Sequence, residues 1–288
     1  MRKEIATFLI TSLFVSMQAT GFELELNASY DFFRGIPDGS WNGNTGAYVS
    51  ANLGLDIFDW VEAQVGGSYG VYNWDGRENL VFENPKAVLQ EGFVTAGLTS
   101  TSTPIHAGIV YDRIFTKHFG IYNLSPSVDQ LRFQAGYQFC CQEVGIWGTG
   151  YLTTARENAL GLPISFRAIN QLNLYWSHCF ESSAQTMIWI GAPYGSSLRN
   201  HHNTAGALTA GFALRARLTE RLFIDGHGAY MRAHTRSGFD QSRNYGANVC
   251  VGITYLWGPG CVSDSLQKSI YMPVANNANF LVDTNFND

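Results

Sequence analysis

From Phe22 to Trp257 the chain is written with a period of two. Phe22, Leu24, Leu26, Ala28, Tyr30 and Phe32 alternate without a break against Glu23, Glu25, Asn27, Ser29 and Asp31. Ala47, Val49, Ala51, Leu53, Leu55 and Ile57 do the same against Tyr48, Ser50, Asn52, Gly54 and Asp56, and the pattern returns at Leu131–Phe139 and Leu208–Leu218. Successive side chains of a strand point to opposite sides, so each of these segments has one apolar and one polar face. Strands near 88–99, 144–153 and 222–234 are less regular, because Phe93, Trp147, Tyr151 and Phe223 fall on the polar register. The period predicts twelve strands, the last being Ala247–Trp257. It excludes a helical bundle or coiled coil, whose apolar residues recur every 3.5 to 3.6 positions.

Composition narrows the reading. Only 14% of the 288 residues are charged, against about 25% in an average soluble chain. No run of 18 apolar residues follows position 21, so no membrane-spanning helix is expected. A formal charge of −5 without a Lys/Arg cluster argues against a nucleic-acid binder. Arg2 and Lys3, the apolar run Ile5–Met17 and the small-residue site Ala19-Thr20-Gly21 read as a secretory signal peptide over residues 1–21. The mature chain is then expected in a compartment where disulfides can form.

The connections sort by length. Short links (Phe58–Trp60, Ser100–Thr103, Cys140–Glu143, Glu181–Ala184, Thr219–Arg221) alternate with long ones (Gly35–Gly46, Asn73–Lys86, Ile114–Ser127, Thr154–Ile169, Gly195–Ala205, Thr235–Tyr245). A soluble sandwich has no reason to sort its loops in this way. A membrane barrel does, with short periplasmic turns and long extracellular loops. The expected fold is therefore an all-β transmembrane, antiparallel up-and-down β-barrel of about twelve strands over residues 22–257. Residues 258–288 are left as a periplasmic tail or a lumen plug. Aromatic residues gather near the strand ends. Tyr30, Phe32, Tyr111 and Tyr194 lie toward the loops; Tyr137, Phe139, Trp176, Tyr255 and Trp257 lie toward the turns. Two such girdles suit the two interfaces of a bilayer.

With Val249, Val251, Ile253, Tyr255 and Trp257 as an alternating, aromatic-ending last strand, residues 22–257 resemble single-chain outer-membrane β-barrels of Gram-negative bacteria. The resemblance implies an outer-membrane location, insertion by the barrel-assembly machinery, contact with lipopolysaccharide and a porin-like passage for small polar solutes. In such barrels the last strand normally closes the chain, whereas here residues 258–288 follow it. Asn279–Phe286 reads as a further strand that would enlarge the barrel. Pro259, Pro273 and Asn276-Asn277 favour the tail or plug.

Five cysteines leave one unpaired or intermolecular. Cys140 and Cys141 lie in a short turn, Cys179 at the turn end of its strand and Cys261 just past the last strand, with Cys250 in mid-strand on the polar side. Cys141 and Cys179 fall on neighbouring strands, within disulfide reach. Tolerated small thiols are the plainer alternative. A rim of this kind resembles chlamydial outer-membrane proteins, which implies disulfide-linked envelope partners.

The lumen-facing register collects the candidate channel-lining charges. Glu23, Glu25, Asp56, Glu62 and Asp225 fall near the turn end, with Arg215 and Arg217 at the same depth. His106 and Arg132 lie deeper, and Glu91 and Asp112 toward the loops. Mixed charges across a lumen steer small polar solutes; paired with one another, they simply fill it. Trp147, Tyr151, Met187 and Trp189 on the same register narrow the passage. No catalytic site is expected, because His234-Thr235-Arg236-Ser237 lacks the His-x-Ser-Asn-Gly run of the phospholipase barrels. His118, His201 and His202 read as solvated loop residues, with no metal or cofactor implied. Lys117, Arg156, Arg167, Arg199, Arg236 and Arg243 outnumber Glu157 and Asp240 in the third to sixth long loops, which suits lipopolysaccharide phosphates.

This topology is open to labelling. On a background with the native cysteines replaced by Ser, cysteines placed at Asn79, Asn158 and Asn203 are expected to react with an impermeant reagent in whole cells. Cysteines at Ser102 and Ser183 are expected to stay silent until the outer membrane is breached. Reversed accessibility would overturn the orientation.

Overall fold

The computed structural model describes residues 21–35, 40–58, 60–77, 87–100, 104–119, 123–159, 161–180, 184–198, 204–232, 245–258 and 271–285. Among the described residues there is no helix. The strands are β1 (Phe22–Gly35), β2 (Ser40–Phe58), β3 (Val61–Arg77), β4 (Ala87–Ser100), β5 (Ile105–Lys117), β6 (Ser127–Phe139) and β7 (Gln142–Tyr151). They continue as β8 (Thr154–Ala159), β9 (Leu162–Ala168), β10 (Gln171–Cys179), β11 (Ala184–Pro193), β12 (Leu208–Arg217), β13 (Leu222–Arg232), β14 (Tyr245–Trp257) and β15 (Val282–Asn285). Twelve of them form one closed antiparallel barrel, sealed where β1 pairs with β14 from Leu24↔Trp257 to Arg34↔Ala247. Closure matters because a sheet facing hydrocarbon has no water to satisfy an open edge.

The two faces obey the alternation. Leu53 on β2 sits between Leu24 of β1 and Val65 of β3, all on the outward register. Val49, Val65, Leu174, Ile190 and Val251 are at least half exposed on that face. The nine aromatics assigned to the girdles are all exposed, and Phe58 and Trp60 add a stacked pair at a turn, 6.2 Å between centroids. A continuous apolar outer face of this kind is far beyond what a water-soluble surface carries.

Three features differ from the sequence reading. The first hairpin and β3 run on past the apolar band, so β1 and β2 are separated only by residues 36–39 instead of a twelve-residue loop. Beyond the membrane both faces are polar, so pairing continues there without alternation to mark it. The connection read as the loop 154–169 holds the hairpin β8–β9, too short and too mixed in composition to show a period. Finally, the segment read as a tail or plug carries a strand, β15, outside the barrel. It pairs antiparallel with β9, Val282↔Ala168 to Asn285↔Ser165, in a separate three-stranded sheet of order β15-β9-β8 at the loop end.

The register generates a direct test. Leu53→Arg puts a charge near the middle of the outward face and is expected to cost about 2–4 kcal/mol in a bilayer unfolding titration. Ser50→Arg, which faces the remaining lumen space among Asn27 and Ser68, is expected to cost much less. Equal losses would mean that the faces are assigned wrongly.

Candidate functional site

The last strand ends at the turn end, yet β15 lies at the loop end, so residues 271–285 cross the lumen from one end to the other. The order of contacts traces the path. Tyr271 lies near the turns, where its hydroxyl donates to Glu143 Oε1 at 2.9 Å and its ring meets His106 edge-on. Tyr175 also donates to Glu143, and His106 Nδ1 lies 2.9 Å from Glu143 Oε2. The Met272 carbonyl accepts from Asn52 at 3.2 Å and from Gln64 at 2.9 Å. The Pro273 carbonyl accepts from Arg132 Nη2 at 2.7 Å, and the Ala275 N–H donates to Thr95 Oγ1 at 2.9 Å.

Farther along, Asn277 Nδ2 bridges two buried carboxylates, donating to Asp31 Oδ2 at 3.0 Å and to Glu91 Oε2 at 2.8 Å. Asn248 and Tyr72 complete the shell of Asp31, at 2.6 and 3.2 Å. Glu91 is 1% exposed, and the bond from Asn277 offsets part of the cost of burying its carboxylate. Glycines on the wall make room for the segment: a Cβ at Gly66 would stand 2.6 Å from Val274 Cγ2, and one at Gly108 2.5 Å from Met272 Sδ.

Near the loops the contacts turn apolar. Phe280, fully buried, packs 5.8 Å from Phe93, and Leu281 and Val282 join Phe33, Ile114 and Val128 of the wall. Ile164 and Phe166 of β9 close the cluster from above. Each such side chain contributes about 1.5–3 kcal/mol of burial. Asp283 then accepts from the Leu198 N–H at 2.6 Å and lies 4.0 Å from Arg167, whose guanidinium stacks 4.7 Å over the Tyr151 ring.

The sequence-assigned charges fall into three groups. Glu91, Asp112 and Arg132 lie under the crossing segment, and of the three Arg132 also borders the remaining cavity. Arg132 Nε and Nη2 donate to Asp112 at 2.8 and 3.1 Å, and Thr95 and Gln130 donate to the same carboxylate at 2.7 and 3.0 Å. Glu25, Asp225 and Arg215 form a second group: Arg215 donates to Asp225 at 2.6 Å and to Glu25 at 2.8 Å. Glu23, Asp56, Glu62 and Arg217 stay at the turn-end rim. Asp56 is exposed opposite Glu62, which accepts from Thr99 at 3.5 Å, and Arg217 lies 5.8 Å from the Phe223 ring centre. His106 serves Glu143.

Asp31, Glu143 and Tyr175 are not among the candidate channel-lining residues of the sequence. Asp31 was legible as an inward residue of β1. Glu143 reads as part of a turn, and Asn277 as one of the Asn residues that favour a tail or plug, with no partner marked for either.

Cys140 and Cys141 are exposed thiols at the turn, Cys179 is half-buried and Cys250 is buried. The Cys179 N–H donates to the Cys141 carbonyl at 2.8 Å, yet no disulfide forms among the described residues. His118 bonds Asn123 within its loop. The segment 1–20, Cys261, His201, His202 and His234–Ser237 lie outside the described residues.

Comparison with known proteins fits the barrel. A family model described as a family of unknown function, DUF6666, matches residues 13–282. The chain belongs to this family. No curated protein matches it. A chain solved in work on the in-meso crystallisation of membrane proteins shares 10% identity over 92% of this chain and 99% of its own, with a TM-score of 0.52. At that identity the likeness is one of fold alone. Outer membrane phospholipase A from Escherichia coli superposes with a TM-score of 0.43 at 8% identity, covering 82% of this chain and 95% of its own. For an anion-selective porin from Comamonas acidovorans the values are 0.37 and 9%, over 83% and 99%. None of these likenesses adds support to the chlamydial resemblance of the cysteine rim.

Member by member, the lumen network is testable. Arg132→Ala strands the buried Asp112 carboxylate and is expected to cost about 3–5 kcal/mol in urea unfolding. Arg113→Ala, which removes a half-exposed partner 3.6 Å from Asp129, is expected to cost less than about 1 kcal/mol. Similar losses for the two would contradict the burial described.

Proposed function

We propose that this chain is an outer-membrane barrel sealed at rest by its own C-terminal segment, a structural or surface component of the envelope and no constantly open pore. The crossing of residues 271–285 supports this reading: polar bonds hold the segment along the wall, and an apolar cluster with β9 and β15 closes the loop end. A passage so filled stays shut unless the whole segment moves, because a wall group left without its partner would be buried unsatisfied.

A porin-like passage for small polar solutes is the second reading. It is favoured by a cavity of about 300 Å³ that remains beside the segment and is lined by Glu25, Arg215 and Asp225. In this reading the segment is a gate, and displacing it joins the cavity to both ends.

The surroundings follow from the same surfaces. The apolar, aromatic-ending β14 suits recognition by the barrel-assembly machinery, and basic loop residues such as Arg156 suit lipopolysaccharide phosphates. The exposed Cys140 and Cys141 offer thiols for disulfides to other envelope proteins. No catalytic role is assigned.

Planar-bilayer recording tests the sealed state. The full chain is expected to be silent, and truncation after Trp257 to give discrete steps. Where truncation prevents folding, Gly108→Leu serves instead, since its side chain would collide with the seated Met272. Open steps from the resting full chain would overturn the sealed reading in favour of the channel.

A further inference from the structure

From Met272 to Asn279 the crossing segment bonds to side chains of β1 to β6 only, among them Asn52, Gln64, Thr95 and Arg132. It therefore lies against one wall, and the cavity of about 300 Å³ separates it from β10–β13. That space equals roughly ten waters, or an organic molecule of similar bulk.

The chemistry of the cavity walls is lopsided. Arg215 is a single cation shared by two carboxylates, Glu25 and Asp225. Glu143 adds a third carboxylate, hydrogen-bonded by Tyr175 and Tyr271 and faced by His106. The other cation on the wall, Arg132, is already matched by Asp112. The cavity thus holds an excess of negative charge whenever His106 and His227 are neutral. Across from it Trp147 and Trp189 meet edge-on, 5.8 Å between centroids and 79° between planes. An indole face attracts a cation through its quadrupole. Four polar atoms of the lining residues lack a partner: Asn52 Oδ1, Asp225 Oδ2, His227 Nε2, and the indole Nε1 of Trp147, a residue only 5% exposed. An excess of carboxylate selects a cation, and an idle indole N–H calls for an acceptor.

We propose that this cavity is a binding site for a small organic cation that carries a hydroxyl or ether oxygen. The cationic head lies between the Glu25–Asp225 pair and the indoles, and the oxygen accepts from Trp147 Nε1. The site needs neither conduction nor a particular membrane, so it stands independently of the sealed reading.

The test is calorimetric titration of the full chain in detergent with three isosteric probes. Choline is cationic, 3,3-dimethylbutan-1-ol is its neutral analogue and 3,3-dimethylbutyrate is anionic. Choline is expected to bind saturably, the alcohol at least about tenfold more weakly, and the anion not at all. Asp225→Asn leaves Arg215 paired one-to-one with Glu25, cancels the local excess charge and is expected to weaken choline about tenfold. Unheated gel migration checks that the barrel is folded. Glu25→Gln, expected to act alike, replaces it where it fails to fold. Equal binding of choline and the alcohol, no binding of any probe, or wild-type affinity in the folded carboxylate variants would overturn the proposal. Bilayer recording of the same preparation keeps the two readings apart: silence without binding removes only this site, and open steps with binding remove only the sealed reading.

Discussion

Pairing of β1 with β14 is the constraint on which the rest depends. An apolar outer face cannot sit beside hydrocarbon with an unpaired sheet edge, because each orphaned N–H or C=O there costs several kcal/mol. Closing the sheet turns every inward side chain toward a common lumen and every outward one toward lipid. The period-two pattern thereby becomes a map of two environments. The exposure of Val49, Val65 and Val251 and the burial of Asn52, Gln64 and Asn248 are two results of one closure.

Closure at twelve strands creates a second requirement. Wall side chains alone do not fill this lumen, and polar groups left on it need partners. The crossing segment meets both needs. Its backbone carbonyls accept from Asn52, Gln64, Gln130 and Arg132, and Asn277 serves two carboxylates at once. Toward the loops, where the wall itself offers Phe33, Leu89 and Ile114, the segment answers with Phe280 and Leu281. The result is polar at the turn end and apolar at the loop end, with the open space displaced toward β10–β13.

Much of the barrel was legible because alternation is local and strict. The twelve strands, the short connections and the nine girdle aromatics all follow from positions i and i+2. The site was less legible. Arg132 and Asp112 are inward by parity, but parity does not say that they bond each other across β5 and β6. The partners of Glu143 and Asn277 were hidden because they lie far away in sequence: His106 for the first, Asp31 and Glu91 for the second. The hairpin β8–β9 escaped because six- and seven-residue strands of mixed polarity carry no readable period.

The sequence by itself determined the period, the two faces, the strand count and the contrast between short and long connections, since each rests on neighbouring residues. Only the tertiary structure decided where residues 271–285 go. Nothing local distinguishes a tail that hangs free from one that crosses a lumen: Asn, Pro and small apolar residues suit either. The choice rests on groups brought together by closure, namely the Asp31, Glu91 and Arg132 side chains of the wall, glycine seats at Gly66 and Gly108, and the free edge of β9. Those partners share a space only after the barrel has closed.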